Sequence, residues 1–213
     1  MIEKFYYNFP SDKDIAANSP GIMGTTLKEY GITKVVMDEY YYDTPVIKVH
    51  TGNKFYVRNA EFEVLQTFED FAPTILPETN FNNSTTIFRM YVGGQSTLWL
   101  GDALPAAEAL MVEQFGDYLK SDVLQLAHHG IDGSLSAYQV YDPTYCLWPG
   151  AKQFYYQYNT SAHNNWLLKE SPNVKQTIVT GFGTYTTKLP IDIKGDYPEH
   201  IYENTYVNPS YID

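Results

Sequence analysis

The sequence predicts an α/β fold of the α+β kind, in which a mixed sheet is flanked by helices. Polar and apolar residues alternate over 44–66, a pattern typical of half-buried antiparallel strands. Short apolar runs then alternate with helical segments over 98–149, which indicates a β-α-β-α-β order with buried strands. The stretch 82–130 joins these two parts, so we place it at the centre of the fold.

The first part of the chain should be mostly strands. The predicted strands cover 2–9, 34–43, 44–52 and 53–68, with turns at Gly52-Asn53 and at 58–60. The helical segment TTLKEYGI should end at Gly31, because glycine commonly follows the last helical turn. The segment 69–83 contains Pro73 and Pro77 and is predicted to be a loop.

The second part should alternate strands and helices. TTIFRMYV and STLWLGD flank Gly93-Gly94, a dipeptide typical of a tight hairpin. A core-facing helix should start at Pro105 and run toward Leu119, because apolar side chains recur at i, i+3 and i+4. The remaining predicted elements are the strands DVLQLAHHG, TYCLWP and QTIVTG, the helices SLSAYQVY and NNWLLKE, and an aromatic loop AKQFYYQYNTSAH. Residues 191–213 are rich in tyrosine and acids and are predicted to form an edge hairpin or a tail.

Composition excludes several classes of partner. The formal charge is −11, so binding to nucleic acid or to an anionic membrane is not supported. No apolar run reaches the ~18 residues of a membrane span, and the N-terminus lacks the pattern of a signal peptide, so we expect a soluble protein. Cys146 is the one cysteine, which excludes an intramolecular disulfide and a cysteine-rich zinc site; we expect it to be buried.

Four residues of metal-ligand type fall at predicted strand-to-helix junctions. They are Asp102, His128, His129 and His163, and carboxylate and imidazole suit Zn²⁺, Mn²⁺ or Fe²⁺. Neighbouring strand residues point to opposite faces, so only one histidine of the pair enters a site unless the backbone has already turned. Asp102 can instead serve the N-terminus of the following helix, and His163 can be a surface loop residue.

The order of these motifs resembles a known family. NNSTTIFRMYVGGQSTLWLGDA, then DVLQLAHHGIDGS and a late Ala-His, are similar to the second half of metallo-β-lactamase-fold hydrolases, closest to the soluble domain of competence-related DNA-uptake proteins. The resemblance implies that residues 1–190 form the C-terminal part of an αββα sandwich. It implies that Asp102 bridges metals, that His128 or His129 is a further ligand, and that His163, Asn83 and Ser84 line the substrate pocket. The implied reaction is attack of a metal-bound hydroxide on an ester, amide or phosphodiester.

The family's defining His-x-His-x-Asp-His motif is absent from the sequence. Two ligands cannot hold a catalytic zinc, which takes three protein ligands and an open position. We therefore expect the chain alone to be inactive, and zinc, manganese or iron to bind only if another segment supplies ligands. The chain can be a piece of a longer enzyme, which we favour, a subunit completed by a second chain, or a degenerate relative. Half a sandwich would expose an apolar sheet face and associate, also with its own copies.

A second hypothesis concerns the 20 tyrosines. FYYQY and the tail YENTYVNPSY can form an aromatic platform, which would make the chain a non-catalytic extracellular module that binds carbohydrate or peptide. The same tyrosines can instead serve strand and edge packing, which is the interpretation we favour.

Overall fold

The computed structural model describes residues 2–11, 39, 41–71, 81–192 and 200–201 and has a mixed α/β architecture. The strands are β1 (Phe5–Tyr7), β2 (Val46–Lys48), β3 (Lys54–Val57), β4 (Ala60–Gln66), β5 (Ile87–Val92), β6 (Gln95–Trp99), β7 (Val123–Gln125), β8 (Tyr145–Trp148), β9 (Gln176–Val179) and β10 (His200–Ile201). The helices are α1 (Pro105–Phe115), α2 (Leu135–Tyr141), α3 (Lys152–Tyr158) and α4 (Ala162–Asn165), the last continued by a π-helical turn, Trp166–Glu170.

One mixed sheet contains β3 to β10, in the spatial order β10-β9-β8-β7-β6-β5-β4-β3. Strands β3 to β6 pair antiparallel, whereas β6 to β10 pair in parallel. Parallel neighbours need a crossover connection, and helices α1 and α2 provide it between β6, β7 and β8. The predicted mixed sheet with flanking helices is confirmed.

The pairing predicted for 44–52 is wrong. Strand β2 pairs in parallel with β1, and all three of its residues are exposed. The Val49 N–H continues this pairing by donating to the Tyr7 carbonyl at 2.9 Å. A parallel partner is possible because a long connection separates the two strands in the sequence. By contrast, β3 and β4 pair antiparallel around Arg58-Asn59, as predicted.

The Gly93-Gly94 hairpin is also present. Both glycines have positive φ, 59° and 82°, which is the requirement of the type I′ turn that suits a two-residue hairpin. A Cβ on Gly93 would lie 2.7 Å from the Pro190 ring, so glycine is needed there for space as well.

The helices cover one face of the sheet. Leu98, Leu124 and Cys146 point from the strands into the main core, where they meet Ala107 and Met111 of α1. Cys146 is fully buried, as predicted. The opposite face carries a row of stacked, half-buried rings: Phe55 on Phe62, and Phe88 on Trp99.

Two predicted elements differ from the structure, and others lie outside the described residues. The stretch 151–163 is not a loop, because Lys152–Tyr158 forms α3 and Tyr155 packs against Trp148 and Phe182 at 5.3 Å each. The helix predicted from Asn164 begins at Ala162. The predicted helix at 25–32, most of the strand predicted at 34–43 and most of the 191–213 tail fall on residues that the structure does not describe, and the described residues 39 and 41–43 are not in a strand.

None of the helices in the described ranges is long and apolar enough to cross a membrane.

A buried ion pair joins β4 to β5, and its loss should be costly. Arg89 Nη2 donates to Glu63 Oε2 at 2.9 Å, and the Arg89 side chain is 2% exposed. Burial alone would raise the pKa of Glu63, but hydrogen bonds from Arg89 and Tyr118 lower it below its ordinary value. Arg89→Met should therefore reduce the free energy of unfolding by about 3–5 kcal/mol, because it leaves a buried carboxylate without its cation. Urea denaturation at pH 7 measures this change.

Lys54→Met is the matched control. Lys54 Nζ approaches the same carboxylate at 3.5 Å, but its side chain is 44% exposed. Its replacement should cost less than about 1 kcal/mol. Equal losses in the two variants would contradict a buried role for Arg89.

Candidate metal centre

Asp102 lies in the turn that follows β6. Gly101, with φ 55°, makes the turn, and its N–H donates to Gln125 Oε1 at 2.7 Å. A Cβ on Gly101 would lie 2.5 Å from Thr85 Cγ2, so Thr85 leaves no room for a side chain at position 101. The Asp102 side chain stays 43% exposed at this edge of the sheet.

The histidine pair lies in a left-handed turn after β7. His128 and His129 have φ of 42° and 58°, a conformation that costs residues other than glycine about 1–2 kcal/mol each. The His128 N–H donates to the Gly101 carbonyl at 3.0 Å, and Trp148 Nε1 donates to the His129 carbonyl at 2.6 Å. The backbone has therefore already turned, but the two rings go to different partners.

His129 is the histidine that faces Asp102. Its Nε2 lies 3.6 Å from Asp102 Oδ1, its Nδ1 lies 2.6 Å from the Pro149 carbonyl oxygen, and its ring stacks on Phe154. A carbonyl oxygen can only accept, so Nδ1 carries a hydrogen. In its neutral form His129 then presents the lone pair of Nε2 to the Asp102 carboxylate, and a cation would fill the gap between these two acceptors; in its protonated form the two side chains are an ion pair.

The gap suits a metal ion. Two ligand atoms at the usual zinc distances of roughly 2.0–2.2 Å lie about 3.4 Å apart at a tetrahedral angle. The 3.6 Å separation of Asp102 Oδ1 and His129 Nε2 is close to that value. The contact of Nδ1 with a backbone carbonyl is also the outer contact that metal-binding histidines usually have. The pair thus fits as two ligands of a transition metal.

These two residues are not a complete site. Within the part of the chain that the structure describes, no group of three histidine, cysteine or acidic residues is arranged to hold a metal ion.

His128 is engaged elsewhere. Its Nδ1 lies 2.9 Å from Asp132 Oδ2, and its Nε2 lies 3.1 Å from the Asn82 amide nitrogen. Because both ring nitrogens have partners, His128 links the segment around Asn82 to Asp132 in this structure and does not face Asp102 as His129 does.

His163 lies behind the histidine turn. It is 7% exposed, so the alternative of a surface loop residue is wrong. Its Nε2 lies 3.4 Å from the Gly130 carbonyl and 3.2 Å from Ser161 Oγ, and its ring meets Tyr138 edge-on. Burial lowers the pKa of His163 below its ordinary value. Asn164 donates to the same Gly130 carbonyl at 2.7 Å, so two side chains hold the residue that follows His129.

Asn83 and Ser84 are buried, and Asn83 contacts the segment that follows the Asp102 turn. Asn83 Oδ1 accepts the Leu104 N–H at 3.2 Å, at the N-terminus of α1. Leu104 is the N-cap and provides no side-chain hydrogen bond; Asn83 accepts from the N–H of Leu104 itself, the donor that an N3 side chain accepts in a capping box. Of the predicted pocket residues, Asn83 contacts the segment after Asp102 and His163 contacts the residue after His129, and contact of Asn83, Ser84 and His163 with a substrate stays a prediction.

Several supporting residues were missed by sequence reasoning. Gln125 is a lone polar residue in the apolar run VLQLA, and Asn82 opens the NNS string, so both carried a visible signal. Phe154 and the Pro149 carbonyl carried none, because aromatic rings are common in this chain and every residue has a carbonyl.

Some tyrosines of the second hypothesis are buried, some are exposed, and others lie outside the described residues. In FYYQY, Tyr155 is buried and Tyr156 is 49% exposed. Tyr138, Tyr141 and Tyr145 are fully buried. The tail YENTYVNPSY lies outside the described residues.

Comparisons with known proteins give a weak likeness among solved structures. No family model matches the sequence, and no curated protein matches it. Among solved structures, the chain is similar to a protein from Thermotoga maritima described as a Zn-dependent hydrolase of the metallo-β-lactamase superfamily, with a TM-score of 0.31 and 16% identity. The match covers 52% of this chain and 52% of that chain, so this chain spans about half the length of the structure it matches. At these values the likeness does not assign the chain to the superfamily.

Gly130 should be among the least replaceable residues of the site. Its φ is 76°, and a Cβ would lie 2.4 Å from the Trp148 indole, which holds the His129 carbonyl. Gly130→Ala should reduce the free energy of unfolding by roughly 3 kcal/mol or more, because strain and overpacking add. Urea denaturation measures the loss.

Gly52→Ala separates the two causes. Gly52 has φ 86° but no atom within 4 Å of the Cβ position, so only the strain of about 1–2 kcal/mol should appear. Equal losses at both positions would show that Trp148 does not confine Gly130.

Proposed function

We propose that this chain carries part of the metal site of a metal-dependent hydrolase of the metallo-β-lactamase type. The observation that carries the proposal is the Asp102–His129 pair, whose acceptor atoms face each other at 3.6 Å at the ends of neighbouring parallel strands. Open α/β sheets collect ligands at this edge. The Gly-Asp and His-His-Gly strings, and their resemblance to that superfamily, support the same reading.

In the proposed site, Asp102 and His129 hold a zinc, manganese or iron ion, and another segment or a second chain supplies the remaining ligands. A metal ion there would polarise the bond to be cleaved and activate water. The chain's own contribution is orientation. Pro149 fixes which nitrogen of His129 is free, Phe154 fixes its ring, and Gln125 fixes the turn that presents Asp102.

The finer assignment is also a proposal. An ester, amide or phosphodiester is the substrate class, and the relation to competence-related DNA-uptake proteins is supported by the motif order alone. The formal charge of −11 favours a substrate other than a long nucleic acid.

Zinc titration of the purified chain tests the ligand pair. Stable loading needs ligands from another segment, so the two ligands of this chain should bind Zn²⁺ only weakly by calorimetry. Asp102→Ala or His129→Ala should weaken this residual binding at least tenfold, because each removes one of the two ligands.

His50→Ala is the matched control, since His50 Nδ1 forms an exposed pair with Glu69 Oε2 at 2.5 Å on another part of the surface. It should leave zinc affinity unchanged. An equal loss in His50→Ala, or none in Asp102→Ala and His129→Ala, would refute the assignment.

Activity is tested on the protein isolated from its natural source with any chains that accompany it. We expect a bound transition metal by elemental analysis and hydrolysis of at least one ester, amide or phosphodiester probe. Asp102→Ala, produced in the same source, should lose both metal and activity. A preparation without transition metal would contradict the proposed function.

A further inference from the structure

A carboxyl group lies buried beside the N-terminus of α2, the helix that follows the histidine turn. Glu108 of α1 is 0% exposed, and its Oε2 accepts the Ser134 N–H at 2.7 Å. Its Oε1 has no hydrogen-bond partner among the described residues, and the nearby Tyr141 hydroxyl offsets little of the burial. A carboxylate with so little compensation is costly to bury, so the neutral acid is favoured.

The same cluster holds both ends of the histidine turn. Ser134 is the N-cap of α2 and follows the turn, and the Tyr138 hydroxyl accepts the Ala127 N–H, which precedes it, at 3.1 Å. Tyr138 also meets the ring of His163, which contacts the Gly130 carbonyl. Glu108 thus contacts the residue that caps α2, and Tyr138 of the same helix contacts the residue that precedes His128 and His129.

We propose that Glu108 is a positioning residue for His129. While its carboxyl group is neutral, Glu108 keeps the segment 127–134 closed, with its hydrogen bonds to the core formed; when that group is ionised, the segment opens more readily. The link to metal binding rests on the proposed function. The closing of the segment itself does not, because it can be measured without metal.

The surroundings of Glu108 agree with such a role. The titratable groups that face it are Tyr138 and Tyr141 of α2, and burial raises the pKa of both well above the ordinary value. Cys146 of β8 and His163 of α4 act on or contact Tyr138; burial raises the pKa of Cys146 and lowers that of His163. No basic side chain in the described part of the chain offsets the burial, which raises the pKa of Glu108 from 4.5 to about 8.

The direction of the pH effect follows from these values. The closed segment keeps the Glu108 proton up to about pH 8, whereas an opened segment, with the carboxyl group in water, releases it above pH 4.5. The equilibrium constant for opening of the segment therefore rises up to tenfold for each unit of pH increase between these limits, and it becomes independent of pH above about 8.

Hydrogen exchange on the metal-free full chain, followed by NMR from pH 6 to 9 and corrected for intrinsic exchange, tests the proposal. The probes are the amides of Ala127 and Ser134 and the indole N–H of Trp148, which reports on the His129 carbonyl. In the wild-type chain the opening constant should rise with pH and level off near 8. Glu108→Gln, which keeps an acceptor for Ser134, should abolish the rise at all three probes. Glu113→Gln, an exposed residue of the same helix, should behave like the wild type.

Two results would overturn the proposal. The first is a rise that persists in Glu108→Gln. The second is a wild-type chain in which the opening constant rises with pH at Ser134 but not at Trp148, even if Glu108→Gln abolishes the rise at Ser134. Glu108 would then hold α2 without positioning His129. If Glu108→Gln does not fold, carbon-13 titration of Glu108 in the wild-type chain decides. An inflection near 8 that coincides with a shift of the Ser134 amide supports the proposal, and an inflection near 4.5 overturns it. Zinc is absent throughout, so failure of the metal assignment is detected separately.

Discussion

The hydrogen bond from the His128 N–H to the Gly101 carbonyl is the contact on which the candidate site depends. It joins the end of β6 to the end of β7, two parallel strands whose carboxyl ends share one sheet edge. Two successive left-handed residues other than glycine would be unfavourable alone. The Trp148 indole and the Pro149 carbonyl offset that cost, because both bind His129 directly. Strain stored next to a polar pair of this kind is typical of functional sites.

Local signals in the sequence were enough to predict the order of elements around the site. Gly93-Gly94 specified its hairpin, Pro105 the start of α1, and Ser134 the start of α2, whose amide at Ala137 it caps. Two predictions failed for different reasons. The pairing of β2 depends on a partner far away in the sequence, and α3 was mistaken for a loop because its aromatic residues have no clear helical period until Tyr155 is seen to pack into the core.

The candidate site was predictable as a set of residue types but not as a geometry. Aspartate and histidine at strand ends indicated metal chemistry, and the structure brings Asp102 and His129 together. The choice of His129 over His128 depends on positive φ at both, which sequence does not reveal for residues other than glycine. The partner of Nδ1 is a backbone carbonyl and has no sequence signature. Glu108 did have a sequence signature, because it is a charged residue beside the apolar stripe of α1, but this signature did not lead to a prediction.

The Arg58-Asn59 turn has a practical consequence. It connects β3 to β4 at the edge of the sheet opposite the end of β6, and both of its residues are exposed. Exposed turns of this kind accept inserted sequence far better than packed ones. A fluorescent reporter or an affinity tag placed between these two residues would therefore leave the histidine turn undisturbed, and the tagged chain could be used as bait to test whether another protein binds it.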